Sequence, residues 1–117
     1  MNKITYQQID PTVLASMTGD IVTFNTLSQT FLDQAPTMWQ NLEAAIAQRD
    51  FAKIRHVSHS LKSMTALVGA GELTLGLQRL ETNSRKHLDL EASDLKSLFD
   101  VVIVEVALSI TDPSIFK

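Results

Sequence analysis

The sequence predicts an all-α fold, a four-helix up-down bundle with a short N-terminal helical extension. Apolar residues recur every three or four positions through most of the chain, the spacing of one helix face. Helix-start and helix-stop residues punctuate those segments. The breaks between them are short, which forces neighbouring helices to pack antiparallel. A hydrophobic content of 44%, with three prolines and four glycines, suits packed helices better than a sandwich or a disordered chain.

Residues 1–9 read as a lead-in. Asp10-Pro11 then gives a capping carboxylate and a proline at the first helical position. Val13, Leu14 and Met17 make an apolar edge, and Gly19 is a C-terminal stop. Asp20 caps a second helix with the stripe Ile21, Phe24, Leu27, Phe31 and Leu32. Pro36 is expected to break it and to open the first turn of a new helix, carried by Met38, Leu42, Ala45 and Ile46. Asp50 caps the central helix, from Phe51 to about Leu67. Gly69 and Gly71 bracket a tight connection to a helix over Ala70–Lys86, with Leu73, Leu77 and Leu80 inward. Residues 87–92 read as a polar, acidic loop. Ser93 or Asp94 is expected to cap the last helix, with the stripe Leu95, Leu98, Phe99, Val102, Val106 and Ile110. Its β-branched interior, Val101–Val106, has strand propensity. An isolated strand would have no partner, so the segment is assigned as helix.

The 117 residues suit a single domain, 1–117, with a bundle core over about 20–110. A net charge of −3 gives no general nucleic-acid footprint. Without cysteine there is no disulfide framework and no thiolate metal site. No apolar run approaches the roughly 18 residues of a membrane span, and Met1–Thr5 has no secretory core. The expectation is a soluble cytoplasmic protein.

The stretch from Arg55 to Gly69 carries the chemistry. On a helix turning about 100° per residue, Ile54, Val57, Thr65 and Val68 fall within about 40° of Leu61. His59 falls about 160° away, on the outer side. Around it lie Ala52, Ser63 and Ala66, all small, with Lys62 and His56 to either side. A neutral imidazole, with an ordinary pKa near 6.5, is a nucleophile at physiological pH. Attack on a phosphoryl group would give a phosphoramidate able to pass the group on. Lys62 supplies charge for phosphoryl oxygens, and Ser63 and Ala66 leave room for a partner. Two plainer readings stand beside this one. An exposed histidine is ordinarily just solvated, and His87, beside Arg85 and Lys86, reads as part of a solvated basic patch. His56 and His59, with Glu72 and Glu81 from the next helix, could be recruited as metal ligands.

His59-Ser60-Leu61-Lys62-Ser63 followed by Gly69-Ala70 resembles the signature of the histidine phosphotransfer (HPt) family, H-x-L-K then glycine or serine, with G-A some ten residues after the histidine. The likeness extends over Asp10-Pro11, Phe31-Leu32, Ala35-Pro36, Asn41–Ala45, Arg49–Phe51 and Leu80-Glu81. It implies a four-helix bundle that carries phosphoryl groups between aspartates of receiver domains, those of a hybrid sensor histidine kinase and of a response regulator, in a multistep two-component phosphorelay. His59 then matches the phosphoacceptor, Lys62 the family's lysine and Ser63 its small residue. Glu81 falls where relatives hold the imidazole Nδ1. The docking surface would include Ala52, Arg55, His56, Ser63 and Ala66. The resemblance implies no intrinsic kinase or phosphatase site and no cofactor, with Mg²⁺ supplied by the receiver partner, and a monomer that binds neither nucleic acid nor membrane. Its start at Met1 and its size are those expected of a freestanding protein, and a piece of a hybrid kinase would read alike. The alternative is a helical adaptor that binds a signalling partner without phosphate.

Overall fold

The computed structural model describes residues 4–87 and 92–116. Those residues are helical throughout the regular structure: α1 (Pro11–Thr18), α2 (Ile21–Ala47), α3 (Phe51–Leu67), α4 (Gly71–Arg85) and α5 (Ser93–Ile110), then a 3-10 turn, Pro113–Phe116. No strand occurs among the described residues, and Val101–Val106 is helical, as expected. No described helix is long and apolar enough to cross a membrane. The expected loop over 87–92 lies, for residues 88–91, outside the described residues.

The capping signals act as read. The Asp10 carboxylate accepts the Thr12 N–H, Asp20 that of Thr23 and Asp50 that of Lys53, so the first free donors of three helices are satisfied. Gly19 closes α1 with φ +70° and donates its N–H to Ala15 O.

Pro36 does not break the chain. It lies inside α2, which runs unbroken for 27 residues. The reason is the phase of the buried stripe: Phe24, Ser28, Phe31, Ala35, Trp39, Leu42 and Ala45 keep steps of three and four straight through the proline. A break would throw Trp39 and Leu42 out of the core. Burial of those side chains, at about 1.5–3 kcal/mol each, outweighs the roughly 3 kcal/mol penalty of an interior proline. A second correction concerns α5. Its N-cap is Ala92, with no side-chain cap bond, and Ser93 is already helical. A third concerns the apolar edges: Val13, Met17, Ile21 and Leu27 are exposed, and Leu14 and Phe24 do the packing.

The four longer helices pack in a ring, α2 on α3 and α5, α4 on α3 and α5. Between them lie Phe31, Trp39, Leu42, Ile54, Leu61, Leu73, Leu77, Phe99, Val102 and Val106, all buried. The Trp39 and Phe99 rings stack, with centroids 4.7 Å apart. The lead-in is a strap. Glu105, buried on α5, accepts the main-chain N–H groups of Gln7, Gln8 and Ile9 at 2.8–3.0 Å. Tyr6 donates its hydroxyl to the buried Asp112 at 2.7 Å. Asp10 N–H bonds Gly69 O in the turn between α3 and α4. The bundle is thereby tied at one end, where the strap meets the α3–α4 turn.

Candidate functional site

The inner face of α3 anchors that helix. Ile54, Ser58, Leu61 and Thr65 are fully buried, and the Ser58 hydroxyl turns back to Ile54 O at 2.6 Å. A small residue is needed at 58 because it lies against the core. His59 then emerges on the far side with 64% of its side chain exposed.

Its imidazole is nevertheless held. His59 Nδ1 lies 2.7 Å from Glu81 Oε1 on α4. The other Glu81 oxygen, Oε2, accepts from Lys62 Nζ at 3.1 Å. Lys62 Nζ also donates to Gln78 Oε1 at 2.5 Å. Glu81 is only 2% exposed. Burial by itself would raise its pKa. The hydrogen bonds and positive charge of Lys62, then the contact with His59, outweigh that burial and leave it below the ordinary carboxylate value. An ionised carboxylate can only accept. The proton between the two groups therefore sits on His59 Nδ1, and in the neutral ring the lone pair is on Nε2, which is free to react.

Helix geometry explains the convergence. His59 and Lys62 are three apart on α3, and Gln78 and Glu81 are three apart on α4, so each pair shares a face. A further bond, Thr65 Oγ1 to Thr74 Oγ1 at 2.8 Å, closes the seam one turn along. On the other side of His59, a shallow depression is lined by Ala52, Arg55, His56, His59, Glu81 and Arg85. Ser63 and Ala66 lie outside that depression but remain exposed on the same helix. The Ser63 hydroxyl is turned to His59 O at 3.3 Å, leaving no bulk over the ring.

Gln78 and Arg85 were not singled out as parts of the site from sequence. Their spacing from Glu81, three before and four after, was the available signal. His87 is exposed beside the exposed Arg85 and Lys86, as the solvated-patch reading expects, and it has one contact which that reading did not include. Its ring stacks on Phe51, centroids 4.6 Å apart and 8° from parallel, and the Arg49 guanidinium lies 5.3 Å from the same ring. The four-residue metal reading is not assembled: among the described residues no three His, Asp or Glu side chains converge as ligands.

Comparison with known proteins bears on the fold and the family. A structural search finds histidine-containing phosphotransfer protein B (HptB) from Pseudomonas aeruginosa PAO1, with a TM-score of 0.81 at 23% identity, covering 92% of this chain and 97% of that one. At that identity the likeness speaks for the fold. A search of curated protein sequences returns no match. The family model described as Hpt domain matches residues 26–106. That match takes in α3, α4 and most of α2 and α5, and the chain belongs to the Hpt domain family.

Proposed function

We propose that His59 is the phosphoacceptor of this phosphotransfer domain and that Glu81 and Lys62 equip it for the task. The observation that carries this is the pairing of an exposed imidazole with a buried, ionised carboxylate at Nδ1. In the forward step the Nε2 lone pair attacks the phosphorus of an aspartyl phosphate. The N–P bond forms, the aspartyl O–P bond breaks, and the carboxylate leaves with its electron pair. In the neutral ring held by Glu81 through Nδ1–H, Nε2 carries no proton, so none need be removed first. The positive charge that develops on the ring is met by Glu81 through the Nδ1–H bond, as a buried carboxylate serves a catalytic histidine elsewhere. Lys62, reaching past its partners, offers its ammonium to the phosphoryl oxygens. The reverse sequence hands the group to a second aspartate.

The chain carries phosphate and does not hydrolyse or generate it. In this reading it is one domain, 1–117, built as an up-down four-helix bundle and acting as a cytoplasmic monomer. Its partners are receiver domains of a hybrid sensor kinase and of a response regulator, and Mg²⁺ belongs to their aspartate pocket. The partner sits over Ala52, Arg55, His56, Ser63 and Ala66, in a transient contact. The test is transfer from phosphorylated receiver domains with Mg²⁺. An acid-labile, base-stable label on His59 is expected, absent in His59→Gln, and slowed but not abolished in Lys62→Ala. Normal labelling of His59→Gln would refute the assignment. Partner binding that survives His59→Gln, with no label from any receiver, would favour a helical adaptor instead.

A further inference from the structure

Charge is unevenly spread along this chain. Residues 49–86 hold seven of the ten Lys and Arg and three of the thirteen Asp and Glu, a net of +4, against −7 for the remainder. Two of those three acids are already engaged. Asp50 caps α3, and Glu81 is buried beneath His59 and Lys62. Arg55 lies one turn before His59 on α3, and Arg85 one turn after Glu81 on α4. Both line the depression that contains His59, together with His56 and the small Ala52. Lys62 is on the opposite side of the imidazole's own turn, tied to Gln78 and Glu81. Among the described residues neither Arg55 nor Arg85 has an ion-pair partner.

We infer that Arg55 and Arg85 form a cationic docking face, one guanidinium from each helix of the seam, that engages the carboxylates around the partner's reacting aspartate and selects partners by their charge. The inference rests on the phosphotransfer reading. A pocket that binds Mg²⁺ beside a phosphorylatable aspartate must itself be lined with carboxylates, since Mg²⁺ takes oxygen ligands. The whole chain, at −3, would repel such a surface. A local positive face that extends about a Debye length, some 10 Å at 0.1 M salt, overcomes this at close range. Guanidinium suits the role because its planar fork pairs with carboxylates in bidentate fashion. The main consequence is kinetic: complementary charge raises association rates by roughly 10- to 1000-fold and falls with ionic strength.

The experiment uses the full chain and the phosphorylated receiver domain that labels it fastest. Two rates are measured, transfer from the receiver and labelling by phosphoramidate, a small donor that needs no docking. In the Arg55→Glu/Arg85→Glu variant the ratio of receiver rate to phosphoramidate rate should fall about tenfold or more. Arg55→Ala/Arg85→Ala should give a smaller fall. The receiver rate of the wild type should drop as salt is raised, and that of the charge-reversed variant should not. An unchanged ratio and salt response would overturn the docking face, while the wild-type label on His59 left the phosphotransfer reading standing. Equal falls in both rates would also overturn it, because the arginines would then act on the phosphoryl group or the imidazole. If no receiver labels the wild type, the phosphotransfer reading fails and takes this inference with it.

Discussion

His59 Nδ1 and Glu81 Oε1 are 2.7 Å apart, and the contact joins a side chain that is 64% exposed to one that is 3% exposed. An exposed imidazole is thus fixed to a buried charge. An asparagine at 59 separates the two roles, because its Nδ2 occupies nearly the position of Nδ1 and it has nothing at Nε2. His59→Asn should keep the bond to Glu81 and cost under about 0.5 kcal/mol, like an ordinary surface change. It should accept no phosphate. His59→Ala removes the donor and leaves a buried carboxylate oxygen with less than its complement, at a cost of about 1–3 kcal/mol. Urea titrations of the two variants test this; equal stabilities would mean that the Nδ1 contact contributes nothing.

Glu81 also makes stability depend on pH. Its folded pKa lies below the value of 4.5 expected for a free glutamate, because Lys62 and His59 outweigh burial. The unfolded chain therefore binds a proton at higher pH than the folded one does. The stabilisation is complete above the unfolded value and is lost as pH falls through the folded value. Glu81→Gln should be less stable than wild type at neutral pH, and the difference should shrink as pH falls below about 5. A difference constant from pH 7 to pH 3 would show that the ionised form gains nothing in the fold.

Much of this arrangement was legible in the sequence, for a local reason. The caps at Asp10, Asp20 and Asp50, the stop at Gly19 and the outward face of His59 all follow from residues within one or two turns of one another. Pro36 was misread because the local preference of proline is to start a helix. The deciding fact is the uninterrupted burial of Phe31, Ala35, Trp39 and Leu42, which depends on α3 and α5. Glu105 was invisible as a structural anchor: its three partners lie 96–98 residues away. Nothing near it in the chain marks it, and residues 7–9 look like a tail. Gln78 and Arg85 fall between these cases. Their helix face could be counted from Glu81, but a glutamine and an arginine on an exposed helix are ordinary until the facing side chains are known.

The strap gives a prediction of its own. Glu105 accepts three consecutive main-chain N–H groups, two on Oε1 and one on Oε2. Glu105→Gln would replace one of those oxygens by an NH₂ donor pointing at a donor. At least one main-chain group would lose its partner, at a cost of about 1–3 kcal/mol. Hydrogen exchange of Gln7, Gln8 and Ile9 should quicken, while transfer through His59, at another part of the bundle, should hold. Unchanged exchange at all three amides would show that the strap is held by packing alone.

Gly69 lies in the turn that meets this strap, and Gly19, which closes α1, is its matched control. Both have positive φ, +76° and +70°, in the region where a Cβ is disfavoured. That term alone costs about 1–2 kcal/mol per residue. The surroundings differ. A Cβ on Gly19 would meet nothing within 4 Å, whereas on Gly69 it would lie 2.8 Å from Asp10 N and closer still to the Asp10 carbonyl oxygen. Those are backbone atoms, and Asp10 is held there by its own N–H bond to Gly69 O at 3.0 Å. The clash cannot be relieved by a rotamer change. Gly19→Ala should therefore lose only the dihedral term. Gly69→Ala should lose that term, the Asp10–Gly69 bond and part of the packing of Ile9 on the core, more than about 3 kcal/mol together. Thermal unfolding of the two variants decides the point. If they lose equal stability, the close approach of the strap to the α3–α4 turn is not a constraint on the fold.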